Sequence, residues 1–211
     1  MILSHEHKFI FTAIPKTGTH AVRRALREHL GPQDQEQVGL FVEKRFDNEA
    51  LAAIKHGHIT LAQLRPHLAA DVFGGYFKFA FVRNPFDRFV SYCAFMTRDK
   101  GEFERNPRGV MRHLLTNPPH GHLLFKPQHI FIADESGALL TDTVGRVEEM
   151  QRSYDGICAR LGIPSAMLEQ GVNASRHQDY RGYYNASLVD GVAALYARDL
   201  ELFGYAFEGA V

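Results

Sequence analysis

Apolar and polar residues follow one another along this chain in blocks that predict strands followed by helices. Residues 9–14 (FIFTAI) form a short apolar run that stops at Pro15, as expected for a buried strand. Residues 20–30 then carry apolar side chains at helical spacing and end at Gly31, which predicts an amphipathic helix. The N-terminal region is therefore predicted to be a strand, a tight loop with the sequence PKTGT, and a helix.

A second region repeats this plan. Residues 76–82 are rich in aromatic and apolar side chains and predict another buried strand. Asn84 follows as a helix N-cap, Pro85 suits the first helical position, and Asp87 places an acid in the first turn. The helix that starts here is predicted to run to about Met96.

The remaining pattern predicts further short elements. They are helices over 48–55, 60–70 (interrupted by Pro66), near 108–116, 147–161 and 187–203, short strands over 56–59 and 128–133, and a turn over 134–137. Strands that alternate with helices predict a three-layer α/β fold, a central parallel sheet with helices on both faces. Without an internal repeat or a linker rich in Pro, Gly and Ser, we expect one domain over residues 1–211.

Composition and charge narrow the classes of function. The chain has 211 residues and 45% hydrophobic content, enough for a full core, and its 24 Lys and Arg balance its 24 Asp and Glu. Because no net field recruits polyanions, we expect no nucleic-acid partner, and any anion binding must be local. The polar start MILSHEHKFIF and the lack of a run of about 20 apolar residues predict no membrane span and a cytoplasmic protein. Cys93 and Cys158 lie in apolar helical patterns and are predicted to be reduced core residues.

The loop IPKTGTH has the features of a phosphate site. Backbone N–H groups at the start of a helix converge on one point, and the helix dipole favours an anion there. Gly18 allows close approach, Thr17 and Thr19 add hydroxyl groups, and Lys16 adds a positive charge. His20, just inside the helix, either contacts the same phosphate or completes the cap. The alternative is an ordinary strand-to-helix turn with an exposed lysine.

The order of these residues differs from the common nucleoside-triphosphate loop. In G-x-x-x-x-G-K-[ST] the lysine follows the last glycine, whereas here Lys16 precedes Gly18 and no glycine stands at the head of the loop. The sequence also lacks a convincing later strand that ends in Asp to hold magnesium. These differences count against a kinase or an ATPase.

The segment KFAFVRNPFDRFVSYCAF predicts a second anion site. Arg83 lies at a strand end, and Ser91 lies on the next helix with Arg88 one turn before it. An arginine fork and a serine hydroxyl together suit a phosphate. A surface arginine beside a capping network is the alternative interpretation.

Taken together, PKTGT and RNPFDRFVS resemble the two signature segments of the sulfotransferases that use 3′-phosphoadenosine 5′-phosphosulfate. The resemblance implies a phosphate-loop type of sheet, with the 5′-phosphosulfate at residues 16–20 and the 3′-phosphate at Arg83 and Ser91. Residues 144–164 and 196–207 look like conserved segments of the carbohydrate-type, Golgi-related branch. The resemblance runs from about residue 8 to 207, apart from 97–127.

The stretch HGHITLAQL resembles the HGH segment of uronyl and heparan 2-O-sulfotransferases, whose second histidine is understood as the catalytic base. By position that role falls on His58, with His56 as the other candidate. A His-x-His pair can also be a metal site, but no third ligand is apparent, so we expect no metal. Two surface histidines are the remaining alternative. In the implied reaction His58 takes the acceptor proton, and Lys16 stabilises the leaving oxygen.

The expected function is therefore transfer of a sulfuryl group from 3′-phosphoadenosine 5′-phosphosulfate to a hydroxyl acceptor, on a sugar or glycoconjugate. The rival interpretations are a noncatalytic module of the same type that binds a nucleotide or an acidic glycan, and an ATP-dependent phosphotransferase. By resemblance the polar segment 173–187 folds over the nucleotide and brings Arg176 or Arg181 near a phosphate. The sequence leaves the acceptor and the oligomeric state open.

Overall fold

A computed structural model of the chain describes residues 1–40, 42–169 and 179–210. The chain divides into two compact units, one formed by Met1–Val82 and Gln128–Val172 and the other by Arg83–Pro127 and Asn173–Val211. A single domain stays a prediction.

The strands of the described residues are short. In chain order they are β1 (Ile2–Ser4), β2 (Phe9–Thr12), β3 (Gln35–Glu36), β4 (Val38–Leu40), β5 (Val42–Lys44), β6 (Phe77–Val82), β7 (Thr143–Arg146), β8 (Tyr205–Ala206) and β9 (Gly209–Ala210).

The helices of the described residues range from one to about four turns. They are α1 (Thr19–Arg27), α2 (Glu49–Ala52), α3 (Leu61–Leu64), α4 (Ala70–Gly75), α5 (Pro85–Thr97), α6 (Glu102–Arg105), α7 (Pro107–Thr116), α8 (Met150–Leu161), α9 (Ala186–Leu195) and α10 (Ala197–Phe203). Single 3₁₀ turns cover Arg65–His67, Leu123–Phe125, His129–Phe131, Val147–Glu149 and Tyr180–Tyr183.

The main sheet belongs to the first unit and has the strand order β3-β1-β2-β6-β7. β2 pairs in parallel with β6, and β6 pairs in parallel with β7, whereas β1 is antiparallel to both β2 and β3. This is a mixed sheet with central parallel strands flanked by helices, so the predicted α/β fold is confirmed. The antiparallel edge was not predicted, because strands of two or three residues are too short to show a period.

Phenylalanines from the two central strands form the core of the first unit. In the β2–β6 register Phe11 lies opposite Phe79, and their ring centroids are 5.3 Å apart. Each fully buried ring of this kind contributes about 1.5–3 kcal/mol to stability. The other buried members of this core include Phe9, Phe81, Val22, Leu26, Tyr154 and Ile157. Through this core α1 and α8 pack against one face of the sheet.

The predicted strand over 128–133 is wrong. These residues form the 3₁₀ turn His129–Phe131, in which the N–H of Phe131 donates to the carbonyl of Gln128. The third parallel strand is β7, which carries Thr143 and Gly145 and lies at the edge of the sheet. An apolar run predicted the wrong segment because β7 is short and half polar, and its pairing with β6 is a long-range contact.

Three further predictions need correction. Residues 56–59 form no strand. The predicted interruption of the 60–70 helix at Pro66 is confirmed, because α3 ends at Leu64 and the 3₁₀ turn with Pro66 follows, but residues 68 and 69 are not helical. The predicted last helix is broken at Tyr196 into α9 and α10. The remaining helices and the two strands before the predicted anion sites are confirmed within a few residues.

The second unit is organised around the aromatic face of α5. Phe86, Phe89 and Tyr92 of that helix share a core with Tyr184 and Tyr196. The hydroxyl of Tyr184 donates to the carbonyl of Phe86 at 2.8 Å, which ties the C-terminal segment to the first turn of α5.

The two cysteines agree with the sequence pattern. Cys93 and Cys158 are buried and form no disulfide. In the part of the chain that the structure describes, no helix has both the length and the apolar content needed to cross a membrane.

Candidate functional site

The loop between β2 and α1 has an unusual backbone. Lys16 has φ 67° and Gly18 has φ 68°, both in the left-handed region, and Thr17 lies between them. A lysine in this region costs free energy, and such residues cluster at ligand-binding loops. Residues of alternating handedness turn successive N–H groups toward one concave point, which is the form of an anion-binding nest.

Gly18 is favoured here for two reasons. It caps α1 in the left-handed conformation. A Cβ added to it would also lie 2.5 Å from Cε of Met150, the first residue of α8. α8 therefore supports the loop from one side, and no other residue type fits at this position without displacement.

The side chains of the loop differ in what they offer to a ligand. The hydroxyl of Thr17, fully buried, donates to the carbonyl of Ile14 at 3.0 Å and so holds the loop together. Thr19 is buried as well. Lys16 and His20 are half-buried and are the cationic or ionisable groups of the loop. Within this loop, charge for an anion comes from Lys16, and the N–H groups add to it.

His58 lies against the strand end that leads into this loop. Its Nδ1 is 2.6 Å from the carbonyl oxygen of Ala13. A carbonyl can only accept, so Nδ1 carries the proton and Nε2 carries the lone pair. Burial is the main cause that lowers the pKa of His58 to about 3, and the positive charges of the Met1 amino group and Arg23 add to it. At neutral pH the ring is uncharged and its Nε2 can accept a proton.

His56 has the opposite arrangement. The backbone N–H of His58 donates to Nδ1 of His56 at 3.3 Å, so that nitrogen is the acceptor. The neutral ring then carries its proton on Nε2 and has no lone pair there. The two histidines are thus in different tautomers, and only the tautomer of His58 leaves Nε2 basic.

A buried arginine acts electrostatically on His58. Arg23, on α1, is 3% exposed and its Nε is 3.2 Å from Oε1 of Glu36, which also binds Arg27. Burial lowers the pKa of Arg23 to about 10, against the opposing effect of Glu36, so it stays charged. Burial, followed by the charge of Arg23, lowers the pKa of His20. Sequence reasoning missed Arg23, since an arginine in an amphipathic helix normally reads as a surface residue.

In the second unit the predicted site residues lie at the start of α5. Asn84 caps this helix by accepting from the N–H of Phe86. Arg83 precedes it, and its Nε is 2.7 Å from Oδ2 of Asp87, one turn later. Ser91 lies on α5 and is 2% exposed. Asp87, predicted only as a favourable first-turn acid, therefore also orients the Arg83 guanidinium.

Arg88 is a buried residue that binds backbone carbonyls of a later segment. It is 2% exposed, and its guanidinium donates to the carbonyls of Leu124 at 3.2 Å and Lys126 at 2.9 Å. Burial lowers its pKa, while the charge of buried Asp199 raises it. Arg88 thus fixes the segment around residues 124–126 to α5, which explains why the helix carries an arginine one turn before Ser91.

The structure describes one of the two arginines of the polar C-terminal segment that were predicted to lie near a phosphate. Arg181 is exposed and paired with Asp179 at 3.0 Å and with Glu208 at 3.7 Å. Arg176 lies outside the described residues. A phosphate contact for either arginine stays a prediction.

Among residues 1–40, 42–169 and 179–210, no group of three or more His, Cys, Asp or Glu side chains is arranged to hold a metal ion. A reaction without a metal stays a prediction from the sequence. Comparison with known proteins adds one match: a family model described as "Sulfotransferase family" covers residues 1–206. No curated protein and no solved structure matched the chain.

Proposed function

The chain belongs to the sulfotransferase family, and we propose that it transfers the sulfuryl group of 3′-phosphoadenosine 5′-phosphosulfate to a hydroxyl acceptor with His58 as the general base. Sulfotransferases usually use this donor. The observation that carries the choice of base is the hydrogen bond from Nδ1 of His58 to the carbonyl of Ala13. It leaves the Nε2 lone pair of His58 as the proton acceptor.

The donor has phosphate groups at two positions of its ribose, and the proposal assigns residues to each. We propose that Lys16 and the N–H groups of residues 17–20 contact the 5′-phosphosulfate, supported by the left-handed backbone at Lys16 and Gly18. Arg83 and Ser91 are proposed to contact the 3′-phosphate, supported by the orientation of Arg83 by Asp87.

In the proposed transfer step one bond to sulfur forms, another breaks, and the acceptor proton passes to a side chain of this protein. As the acceptor oxygen forms its bond to sulfur, its proton passes to Nε2 of His58. The bond between sulfur and the bridging phosphate oxygen breaks in line, and the electron pair stays on that oxygen, so adenosine 3′,5′-bisphosphate leaves. Lys16 stabilises the charge that develops there, an effect worth about 2.7–4 kcal/mol for one well-placed donor in other enzymes.

His58 with a low pKa is a weak base in the free protein. A bound donor brings several negative charges, which favour the protonated imidazole and raise its pKa. The proposed base therefore becomes stronger when the donor is present.

We propose a sugar hydroxyl as the acceptor. The support is the resemblance of residues 144–164 and of the HGH segment to carbohydrate sulfotransferases. A cytoplasmic location stays a prediction from the sequence.

The proposal is tested by incubating the protein with sulfur-35-labelled donor and a panel of mono- and oligosaccharides, with mass detection of sulfate gain. We expect labelled product, and a kcat roughly 10²–10⁴-fold lower for His58→Ala, the usual range for a lost general base. His56→Ala is the matched control and should keep most of the activity. Full activity in His58→Ala would overturn the base assignment.

Calorimetry separates the proposal from its rivals. Binding of adenosine 3′,5′-bisphosphate is expected without added metal. Binding of ATP with magnesium alone would instead indicate a phosphotransferase. Binding of the bisphosphate without sulfate gain on any sugar, peptide or small alcohol would indicate a noncatalytic module.

A further inference from the structure

We infer that Gln37 is a positioning residue for the proposed base: its buried amide holds the segment His56–Gly57–His58 in the place where His58 meets Ala13. This inference rests on the proposed function for its catalytic meaning. Its structural content is independent, because it concerns contacts within the first unit.

The side chain of Gln37 is fully buried, and both the nitrogen and the oxygen of its amide form hydrogen bonds. Its Nε2 donates to the carbonyl of Leu51 at 2.9 Å and to the carbonyl of His56 at 3.2 Å. Its Oε1 accepts from the N–H of Phe46 at 3.2 Å. One amide therefore joins α2 and the segments that contain Phe46 and His56, and one of its bonds ends two residues before His58.

The backbone of residues 55–57 lies directly on the backbone of residues 37–39. A Cβ on Gly57 would be 2.3 Å from the carbonyl oxygen of Gln37, and a Cβ on Gly39 would be 2.5 Å from the carbonyl oxygen of Lys55. Lys55 itself has φ 60°, a left-handed turn that leads into the segment. Both glycines are thus needed for this approach, and the amide of Gln37 fastens the two segments once they touch.

The imidazole of His58 is held from the other side by the carbonyl of Ala13, at 2.6 Å from Nδ1. Ala13 is three residues before Lys16, so this bond sets the ring against the start of the loop. If residues 56–58 shift, that bond lengthens and the proton is no longer held on Nδ1. A general base is sensitive to such a shift, since a displacement of about 1 Å can cost roughly 100-fold in rate.

The test uses Gln37→Met, which keeps the length of the side chain and removes its hydrogen bonds. Gln37→Glu is run in parallel, because it keeps an oxygen acceptor for Phe46 and replaces the two amide donors by at most one carboxyl proton. The matched control is Gln35→Met, two residues away. In the unaltered protein Oε1 of Gln35 accepts from the exposed N–H of Asp47 at 3.1 Å.

The first readout is the nitrogen-15 spectrum of the imidazoles, with the His58 signals assigned from a His58→Gln spectrum. We expect the Nδ1–H tautomer in the unaltered protein and in Gln35→Met, and a mixture of tautomers in both Gln37 variants. If the folded Gln37 variants keep the pure Nδ1–H tautomer, the inference is overturned, whatever the enzyme activity. If Gln37→Met does not fold, Gln37→Glu decides the same question.

The second readout is kinetic and depends on the proposed function. We expect kcat to fall roughly 10- to 100-fold in the Gln37 variants while the KM for the donor changes less than about twofold. Equal losses in kcat and donor affinity would indicate general damage and count against positioning. Absence of any transfer by the unaltered protein would sink the proposed function and leave the tautomer result standing.

Discussion

Nδ1 of His58 lies 2.6 Å from the carbonyl oxygen of Ala13, 45 positions earlier in the chain. The group that orients the proposed base is therefore a backbone carbonyl one residue beyond the end of β2. No side-chain substitution at position 13 can remove this acceptor. The orientation of His58 has to be tested through the groups around it.

Acid should destabilise the protein through His58. Its folded pKa is lowered to about 3, whereas the unfolded chain has the ordinary value of about 6.5. Below pH 6.5 the unfolded state binds more protons, so the free energy of unfolding falls as the pH falls toward 3. The loss amounts to at most about 1.4 kcal/mol per pH unit from this group. Urea unfolding at pH 7.5, 6.0 and 5.0 measures it.

His58→Asn supplies the control for this pH dependence. The amide nitrogen of asparagine is attached to Cγ, as Nδ1 is, so it can still donate to the Ala13 carbonyl but does not titrate. The variant should show a flatter decline between pH 6.5 and 5, although the lowered pKa of His20 keeps part of the slope. An unchanged slope would show that His58 is not buried in its neutral form.

Gly18→Ala should destabilise the first unit by about 1–3 kcal/mol. The change forces a Cβ into a left-handed φ of 68° and toward Cε of Met150, 2.5 Å away. Adding Met150→Ala should remove the collision and leave the backbone strain, so a double-mutant cycle separates the two costs. Gly156→Ala on α8 is the matched control, because among the described residues no atom apart from its chain neighbours and the backbone of its own helix lies within 4 Å of its Cβ position. It should be neutral or slightly stabilising, and equal losses in both variants would contradict this account.

Arg83→Ala should weaken binding of adenosine 3′,5′-bisphosphate roughly 10- to 100-fold, the value of about 1.5–3 kcal/mol for hydrogen bonds to a charged group. Binding of adenosine 5′-phosphate, which lacks the second phosphate, should not change. Calorimetry with both nucleotides measures the difference. Arg98→Ala, at an arginine whose side chain is 58% exposed and paired with Asp99, should leave both affinities unchanged. Equal weakening for both nucleotides would place Arg83 away from the 3′-phosphate.

Arg88→Met should destabilise the protein by about 3–5 kcal/mol without acting as a lost ligand. The substitution leaves the carbonyls of Leu124 and Lys126 without their donor and removes a cation that interacts with buried Asp199. Denaturant unfolding measures the effect. Arg98→Met, at a side chain that is 58% exposed, is the control and should cost less than about 1 kcal/mol. A stable Arg88→Met that binds nucleotide weakly would instead make Arg88 a ligand.

Local pattern was enough for the parts of this protein whose structure depends on neighbours in sequence. The phenylalanine runs of β2 and β6 predict buried strands, and Asn84 with Pro85 predicts the start of α5. Gly18 predicts a tight turn. These features follow from burial, capping and backbone freedom, which are properties of a few consecutive residues.

The tertiary structure alone decided the features that depend on distant partners. β7 is a strand because it pairs with β6 some 60 positions earlier, where Phe79 lies opposite Thr143. Arg88 is an interior anchor because two carbonyls of a later segment surround it. His56 and His58 are the same residue type two positions apart, and the hydrogen bonds of their Nδ1 atoms assign them different tautomers. A proton on an imidazole is assigned by whichever group lies beside it, and that neighbour is set by the folded chain.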